Sequence, residues 1–134
     1  MKPVVLRTGR PIPDLLASHG DFVDWYARCL GWSRQSFVEI DGIGEGIYPD
    51  PSGIDGLIIT GSVCSVQDRE PWSVVATEWV AKAIKAGIPI LGICYGHQML
   101  GDILGAAVGL NPKGREIGMS PVTQIGDDPL FRGL

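Results

Sequence analysis

The residues best suited to covalent chemistry in this sequence lie at positions 92–98, which read GICYGHQ. Cys94 stands two residues after Gly92 and two residues before Gly96. A nucleophile on a sharp strand-to-helix turn needs small neighbours at these two places, as in the G-x-S-x-G turn, and here sulfur replaces oxygen. A lone cysteine after an apolar strand is more often a small buried hydrophobic residue. The interpretation of Cys94 therefore depends on the elements around it.

The segments that flank Cys94 have the patterns that such a turn requires. Residues 88–94 (IPILGIC) are a short apolar run typical of a buried parallel strand, and residues 95–105 (YGHQMLGDILG) predict a short helix. A thiol at the start of a helix lies near unpaired N–H groups and the positive end of the helix dipole, which favour the thiolate. The N–H of Tyr95 can point at a developing oxyanion, and a glycine turn at Gly61 can offer a second donor. These features favour a nucleophile.

The rest of the chain predicts the sheet that positions this turn. Residues 3–8, 36–40 and 54–62 indicate three more strands, the last ending near Gly61. Residues 21–31 and 70–87 predict amphipathic helices, the first with Asp21 as N-cap and Gly31 just past its end. The apolar face expected for that first helix consists of Phe22, Trp25, Tyr26, Cys29 and Leu30. This order of elements predicts an α/β fold with a mostly parallel sheet and helices on both faces, with its chemistry at the carboxyl ends of the strands.

Composition bounds the class of protein. The 134 residues suffice for one domain, 45% of them are hydrophobic, and the net charge is −4 without a Lys/Arg run, so neither nucleic acid nor membrane is an expected partner. No apolar stretch approaches the ~18 residues that span a bilayer, and the N-terminus lacks the pattern of a signal peptide. Three cysteines at unmatched spacings predict no disulfide framework and no metal site. A reducing cytoplasm fits this usage, and no cofactor is expected.

At these motifs the sequence resembles the class I (cysteine-triad) glutamine amidotransferases, and most closely the stand-alone members similar to GMP synthase. GICYGHQML (92–100) resembles their nucleophile turn, and ITGSVCSVQDREPW (59–72) resembles their oxyanion segment, with Thr60-Gly61 where Gly-Gly is common. Residues 109–122 and 127–134 resemble the segments that follow. The resemblance implies a flavodoxin-like three-layer αβα sandwich, of which residues 1–134 form a partial domain whose C-terminal part is missing.

The resemblance also implies the site and its chemistry. Cys94 would attack the side-chain amide of glutamine to form a thioester, with the N–H groups of Gly61 and Tyr95 as oxyanion hole and Gln98 holding the substrate. Ammonia would then leave, for transfer to an acceptor on a synthetase subunit or domain, and water would release glutamate. The reaction needs no metal and no cofactor.

The general base is not evident in the sequence. His97 is expected to point along its own helix rather than back at the sulfur, and His19 lies in an early connector with no motif around it. The family supplies its base from a later His-x-Glu pair, which these 134 residues do not contain. We therefore expect the 134-residue chain to lack turnover, as a truncated, split or degenerate domain. Uncovered sheet and helix faces would leave room for self-association into a homo-oligomer.

Several alternatives stay open at this point. A γ-glutamyl peptidase or hydrolase would use the same thioester and release a different amine. A non-catalytic binding or regulatory domain would keep the fold without the triad. A DJ-1-like protein is a weaker alternative, because that group usually has histidine directly after the cysteine, where this chain has Tyr95. Cys64 is interpreted as a loop residue, and Glu116 as either a loop carboxylate or a neighbour of the substrate groove.

Overall fold

The structure, a computed structural model, describes residues 2–114 and 116–133. Four strands and four helices follow one another as β1 (Val4–Arg7), α1 (Pro13–His19), α2 (Phe22–Cys29), β2 (Val38–Asp41), β3 (Leu57–Ile59), α3 (Pro71–Lys85), β4 (Ile90–Gly92) and α4 (Tyr95–Ile103). Short 3₁₀ turns lie at Pro51–Gly53, Val66–Asp68 and Pro129–Phe131. The order of strands and helices is the predicted one, except that α1 forms in a segment predicted as a connector, and each strand is shorter than its apolar run.

All pairings in the sheet are parallel, in the order β2-β1-β3-β4. The chain moves from β1 to one side for β2 and returns to the other side of β1 for β3. Ligands bind beyond the carboxyl ends of such sheets, near this change of direction. Ile59 of β3 pairs with Gly92 of β4, so these two strands end level with each other. The turns that follow them, at Thr60-Gly61 and at Cys94, consequently lie side by side.

Helices cover both faces of the sheet, which confirms the predicted α/β fold with three layers. On one face, Leu6 and Ile59 pack with α3 and α4, which contribute Trp79, Val80 and Met99. The opposite face carries a smaller cluster, formed by Val5, Val23, Ala27, Phe37 and Ile58. Strands β1 and β3 are buried along their whole length, as expected for central strands covered on two sides.

The helix boundaries follow local signals in the sequence. Asp21 caps α2 in a capping box with Asp24, and Gly31, at φ 65°, follows its end. Pro71 occupies the first turn of α3, and Gly87, at φ 72°, follows its last turn. Both predicted starts and both predicted stops are confirmed.

Some predicted faces were wrong. In α2 the buried residues are Val23 and Ala27, whereas Cys29 and Leu30 are exposed. The spacing of residues 95–105 also predicts an inward face with Met99, Leu100, Ile103 and Leu104, and for Leu104 this is wrong, because it caps the end of α4 with 72% of its surface exposed. Within the described ranges, no helix is long and apolar enough to cross a bilayer.

Candidate active site

The backbone at Cys94 is strained. This residue has φ 53° and ψ −103°, and it is one of two described non-glycine residues with positive φ, the other being Arg69. Such conformations cost about 1–3 kcal/mol and persist only where the surrounding structure enforces them. Cys94 is the N-cap residue of α4, and its side chain is exposed to solvent. The thiol is therefore presented on a sharp turn between β4 and α4.

Glycine is required on both sides of this turn. A Cβ atom at Gly92 would lie 2.5 Å from the carbonyl carbon and oxygen of Gly96. A Cβ atom at Gly96 would lie 2.6 Å from the carbonyl oxygen of Ile59 on the neighbouring strand. Real Cβ atoms do not approach backbone atoms so closely, hence the G-x-C-x-G spacing follows from the close contact of β3, β4 and α4.

The turn after β3 is held by two buried threonines. Thr8 donates through its hydroxyl to the Thr60 carbonyl at 2.8 Å, and its backbone N–H donates to the Thr60 hydroxyl at 3.0 Å. The Gly96 N–H donates to the same Thr60 carbonyl at 3.2 Å. The Thr60 hydroxyl reaches the Gly61 carbonyl at 3.1 Å. These bonds fix the Thr60-Gly61 turn against α4, so the threonine in place of the family's common glycine has a structural role.

Gly61 faces the cysteine directly. A Cβ atom built on Gly61 would be 3.6 Å from the Cβ of Cys94. The Thr60 carbonyl and the Gly61 N–H belong to the same peptide, and that carbonyl accepts hydrogen bonds from Thr8 and Gly96. In a trans peptide the N–H points opposite to the carbonyl. The Gly61 N–H therefore points away from those partners.

Tyr95 contributes its backbone to the turn and its side chain to the core. Its hydroxyl forms a 2.6 Å hydrogen bond with the Ser73 hydroxyl, and its ring packs on Trp72 with centroids 5.5 Å apart. Burial raises the pKa of the Tyr95 phenol, and the Ser73 hydrogen bond offsets part of that rise. Since this anchor ties α4 to α3, it holds the first peptide of α4 beside Cys94.

Gln98 and the two histidines occupy different surroundings. Gln98 lies one turn into α4, is half-buried, and lines a cleft of ≈ 610 Å³ whose wall includes Cys64 and Glu116. His97 is exposed, and His19 ends α1, where its Nδ1 contacts the Ser18 hydroxyl. Across residues 2–114 and 116–133, neither histidine makes a hydrogen bond with Cys94.

Sequence reasoning missed the position of Tyr26, which it assigned only to the apolar face of α2. Burial raises the pKa of Tyr26, the Gly61 backbone N–H lowers it and the neighbouring Cys94 raises it, for a net increase. A hydroxyl on an otherwise apolar helix face was the available signal.

The chain belongs to the class I glutamine amidotransferase family, whose model matches residues 26–134. The fold and the glycine-flanked cysteine turn agree with that membership, and the family resemblance noted from the sequence is confirmed.

Three relatives place the chain within the family. The chain is 39% identical over 79 residues to a GMP synthase (glutamine-hydrolyzing) of Thermomicrobium roseum, across 59% of this chain and 14% of that protein. It is 31% identical over 86 residues to gamma-glutamyl peptidase 5 of Arabidopsis thaliana, across 62% of this chain and 34% of that one. The crystal structure of a GMP synthase subunit from Thermoplasma acidophilum superposes with a TM-score of 0.65 at 24% identity. That match covers 100% of this chain and 60% of the other, and it supports the fold. The chain thus spans a minor part of the first two relatives' length.

Proposed function

We propose that residues 1–134 are a partial class I glutamine amidotransferase domain that carries the nucleophile for glutamine hydrolysis. The observation that supports this most directly is the conformation of Cys94. Its strained φ of 53° presents an exposed thiol beside Gly61 at the carboxyl ends of β3 and β4. A buried structural cysteine would need neither the strain nor the exposure.

The first chemical step is attack of the Cys94 thiolate on the side-chain carboxamide carbon of glutamine. A C–S bond forms while the C=O π electrons move to oxygen, which gives a tetrahedral oxyanion. The N–H groups of Gly61 and Tyr95 would stabilise this charge as the oxyanion hole. Collapse of the intermediate breaks the C–N bond as the nitrogen takes up a proton, and ammonia leaves a γ-glutamyl thioester. Water then hydrolyses the thioester to glutamate and free thiol.

The substrate is held on the α4 side of the turn. Gln98 lies one helical turn beyond Cys94, which places its carboxamide side chain along the cleft that it lines with Cys64 and Glu116. An amide there can both donate and accept hydrogen bonds, as the amino-acid end of glutamine requires. Glu116 is a second polar group of this cleft.

Proton transfer requires a general base and a general acid, and no such group contacts Cys94 within the described ranges. We propose that this group is the family's His-x-Glu pair, carried outside the 134 residues. The chain alone should then react once with suitable electrophiles and fail to turn over. The released ammonia would be used by a synthetase, as the names of the GMP synthase relatives imply for those proteins.

The experiment is covalent labelling of the 134-residue chain with a chloromethyl ketone analogue of glutamine, followed by peptide mass mapping. We expect labelling of Cys94 that excess L-glutamine suppresses, with slow and unprotected labelling of exposed Cys29 as internal control. The Cys94→Ser variant should lose the protected label. Equal labelling of Cys29 and Cys94, or labelling indifferent to glutamine, would contradict a glutamine site. Ammonia release above the level of Cys94→Ser would contradict the lack of turnover.

A γ-glutamyl peptidase is the second candidate, because gamma-glutamyl peptidases 5 and 3 of Arabidopsis thaliana are similar to this chain at 31% and 30% identity. The same labelling experiment separates the two. A γ-glutamyl dipeptide that protects Cys94 at lower concentration than glutamine would favour the peptidase. Protection by glutamine alone would favour the amidotransferase, and protection by neither would favour a non-catalytic domain.

A further inference from the structure

Thr8 follows the last residue of β1 and lies against the turn that follows β3. Its side chain is fully buried. A Cβ atom built on the next residue, Gly9, would lie 2.6 Å from the Cα atom of Ser62 and 2.8 Å from the Gly61 carbonyl oxygen. The chain that leaves β1 therefore packs on the backbone of the turn that faces the nucleophile.

The hydroxyl protons of Thr8 and Thr60 can be assigned from the distances around them. Thr60 Oγ1 accepts from the Thr8 N–H at 3.0 Å, and its own proton is donated to the Gly61 carbonyl, 3.1 Å away. The Thr8 hydroxyl lies 2.8 Å from the Thr60 carbonyl and 3.4 Å from the Gly61 carbonyl, so its single proton goes to the nearer oxygen. Each hydroxyl thus holds a different carbonyl.

These two carbonyls belong to the two peptides that flank Gly61. The Thr60 carbonyl shares its peptide with the Gly61 N–H, and the Gly61 carbonyl belongs to the next peptide along the chain. Glycine has no side chain to restrict its φ and ψ, so the bonds to these carbonyls must set the two peptide planes. The Gly96 N–H also donates to the Thr60 carbonyl, at 3.2 Å. The direction of the Gly61 N–H is therefore set by Thr8 and Gly96 together.

Resting on the function proposed above, we infer that Thr8 is a positioning residue for the oxyanion hole, because its hydroxyl orients the peptide that carries the Gly61 N–H. Attack by the Cys94 thiolate forms a C–S bond and moves the carbonyl π electrons to oxygen, and the Gly61 N–H hydrogen-bonds that oxygen. Thr8 acts through this peptide and transfers no proton. A donor that is already oriented needs no rearrangement as the charge develops, so loss of the Thr8 hydroxyl should slow the steps that form an oxyanion.

The test compares two reactions of Cys94 in the 134-residue chain. Acylation by the γ-p-nitrophenyl ester of glutamate passes through an oxyanion, and p-nitrophenolate departs without a general acid. Alkylation by iodoacetamide forms no oxyanion and reports on the exposure and ionisation of the same thiol. Peptide mass mapping of quenched samples gives both rates at Cys94 and, as an internal reference, at exposed Cys29.

Three substitutions of Thr8 separate its hydroxyl from its bulk. Thr8→Val removes the hydroxyl and keeps a branched side chain of similar shape, whereas Thr8→Ser keeps the hydroxyl. Thr8→Ala removes the hydroxyl without placing a methyl group against the carbonyl, and it replaces Thr8→Val if that variant does not fold. The matched control is Thr77→Val, the same change at a half-buried position of α3.

We expect Thr8→Val and Thr8→Ala to slow acylation of Cys94 about tenfold, less than the roughly 10²–10³ that outright loss of one oxyanion donor costs. The loss is smaller because the Gly96 N–H still holds the carbonyl. Alkylation should stay at the wild-type rate. Thr8→Ser should acylate at nearly the wild-type rate, and Thr77→Val should change neither reaction.

Three results would overturn the role of Thr8 alone. Unchanged acylation without the hydroxyl would show that Gly96 fixes the peptide by itself. Equal slowing of acylation and alkylation would show that Thr8 only maintains the structure. Slow acylation in Thr8→Ser as well would assign the effect to the lost methyl group. If wild-type Cys94 is acylated no faster than Cys29, relative to alkylation, the proposed function fails and the role of Thr8 fails with it.

Discussion

Replacing Cys94 with glycine should leave the protein more stable than replacing it with alanine, which reverses the usual order. Alanine retains a Cβ atom and therefore the strain of φ 53° and ψ −103°. Glycine populates this region freely, because its mirror image lies near the extended region open to all residues. The comparison isolates backbone strain, since neither variant has a thiol.

The expected difference follows from two opposing terms. Relief of a strained backbone is worth about 1–3 kcal/mol. Against it, glycine costs roughly 0.5–1 kcal/mol relative to alanine through the entropy of the unfolded chain. The balance favours Cys94→Gly over Cys94→Ala by about 0–2.5 kcal/mol, with a central value of roughly 1 kcal/mol. The two side chains differ by one methyl at a solvent-exposed position, so little buried area is lost.

Urea unfolding followed by tryptophan fluorescence would measure this difference, because Trp79 is buried and reports on the core. A matched pair at Glu78, exposed in the middle of α3, supplies the ordinary order, in which glycine is less stable than alanine by about 1 kcal/mol. If Cys94→Gly is less stable than Cys94→Ala by an amount similar to the Glu78 pair, the turn is not strained. The physical argument for a poised nucleophile would then be refuted.

Two further measurements test the frame around the site. Gly96→Ala would place a methyl 2.6 Å from the Ile59 carbonyl oxygen, so we expect about 1–3 kcal/mol of destabilisation and loss of Cys94-specific labelling. The control is Gly53→Ala, which has open space around it and should change neither stability nor labelling. Unchanged labelling of Gly96→Ala would show that α4 can move away from β3. The second measurement concerns Glu39 of β2, whose carboxylate pairs with Arg7 at the end of β1. Burial would raise the pKa of Glu39, but hydrogen bonds and arginine charges, chiefly Arg7, lower it below the usual 4.5. A pKa that is lowered in the folded state contributes stability that is present above about pH 4.5 and is lost as the pH falls through the folded-state pKa. The urea midpoint should therefore decline on acidification, and it should decline less steeply in Glu39→Gln. Equal pH slopes for the two proteins would exclude this ion pair as a source of acid sensitivity.

The nucleophile turn was readable from the sequence because its requirements are local. Gly92 and Gly96 are needed because a Cβ atom at either position would lie 2.5–2.6 Å from backbone atoms, and only glycine lacks that atom. The buried strands were equally clear, since β3 and the first three residues of β1 are continuous apolar runs at the centre of the sheet. Patterns of this kind carry their structural cause within about ten residues.

The face of α2 was not readable in the same way. Its large residues share a helical face by spacing, yet the fully buried residues are the smaller Val23 and Ala27, and Phe22, Trp25 and Tyr26 are only partly buried. Trp25 directs its indole N–H to the His19 carbonyl at 2.9 Å, a polar requirement that competes with burial. Hydrophobic spacing predicts that a helix has an inward face, but the width available above the sheet decides which side chains fill it.

The part of the candidate site that sequence reasoning could not reach depends on contacts between distant positions. Thr8 and Thr60 are 52 residues apart and meet only because β1 and β3 are neighbours that end at the same edge. Their bonds hold the Thr60–Gly61 peptide beside Cys94. A family motif can name Gly61 as a donor, yet the direction of its N–H is set by this tertiary arrangement.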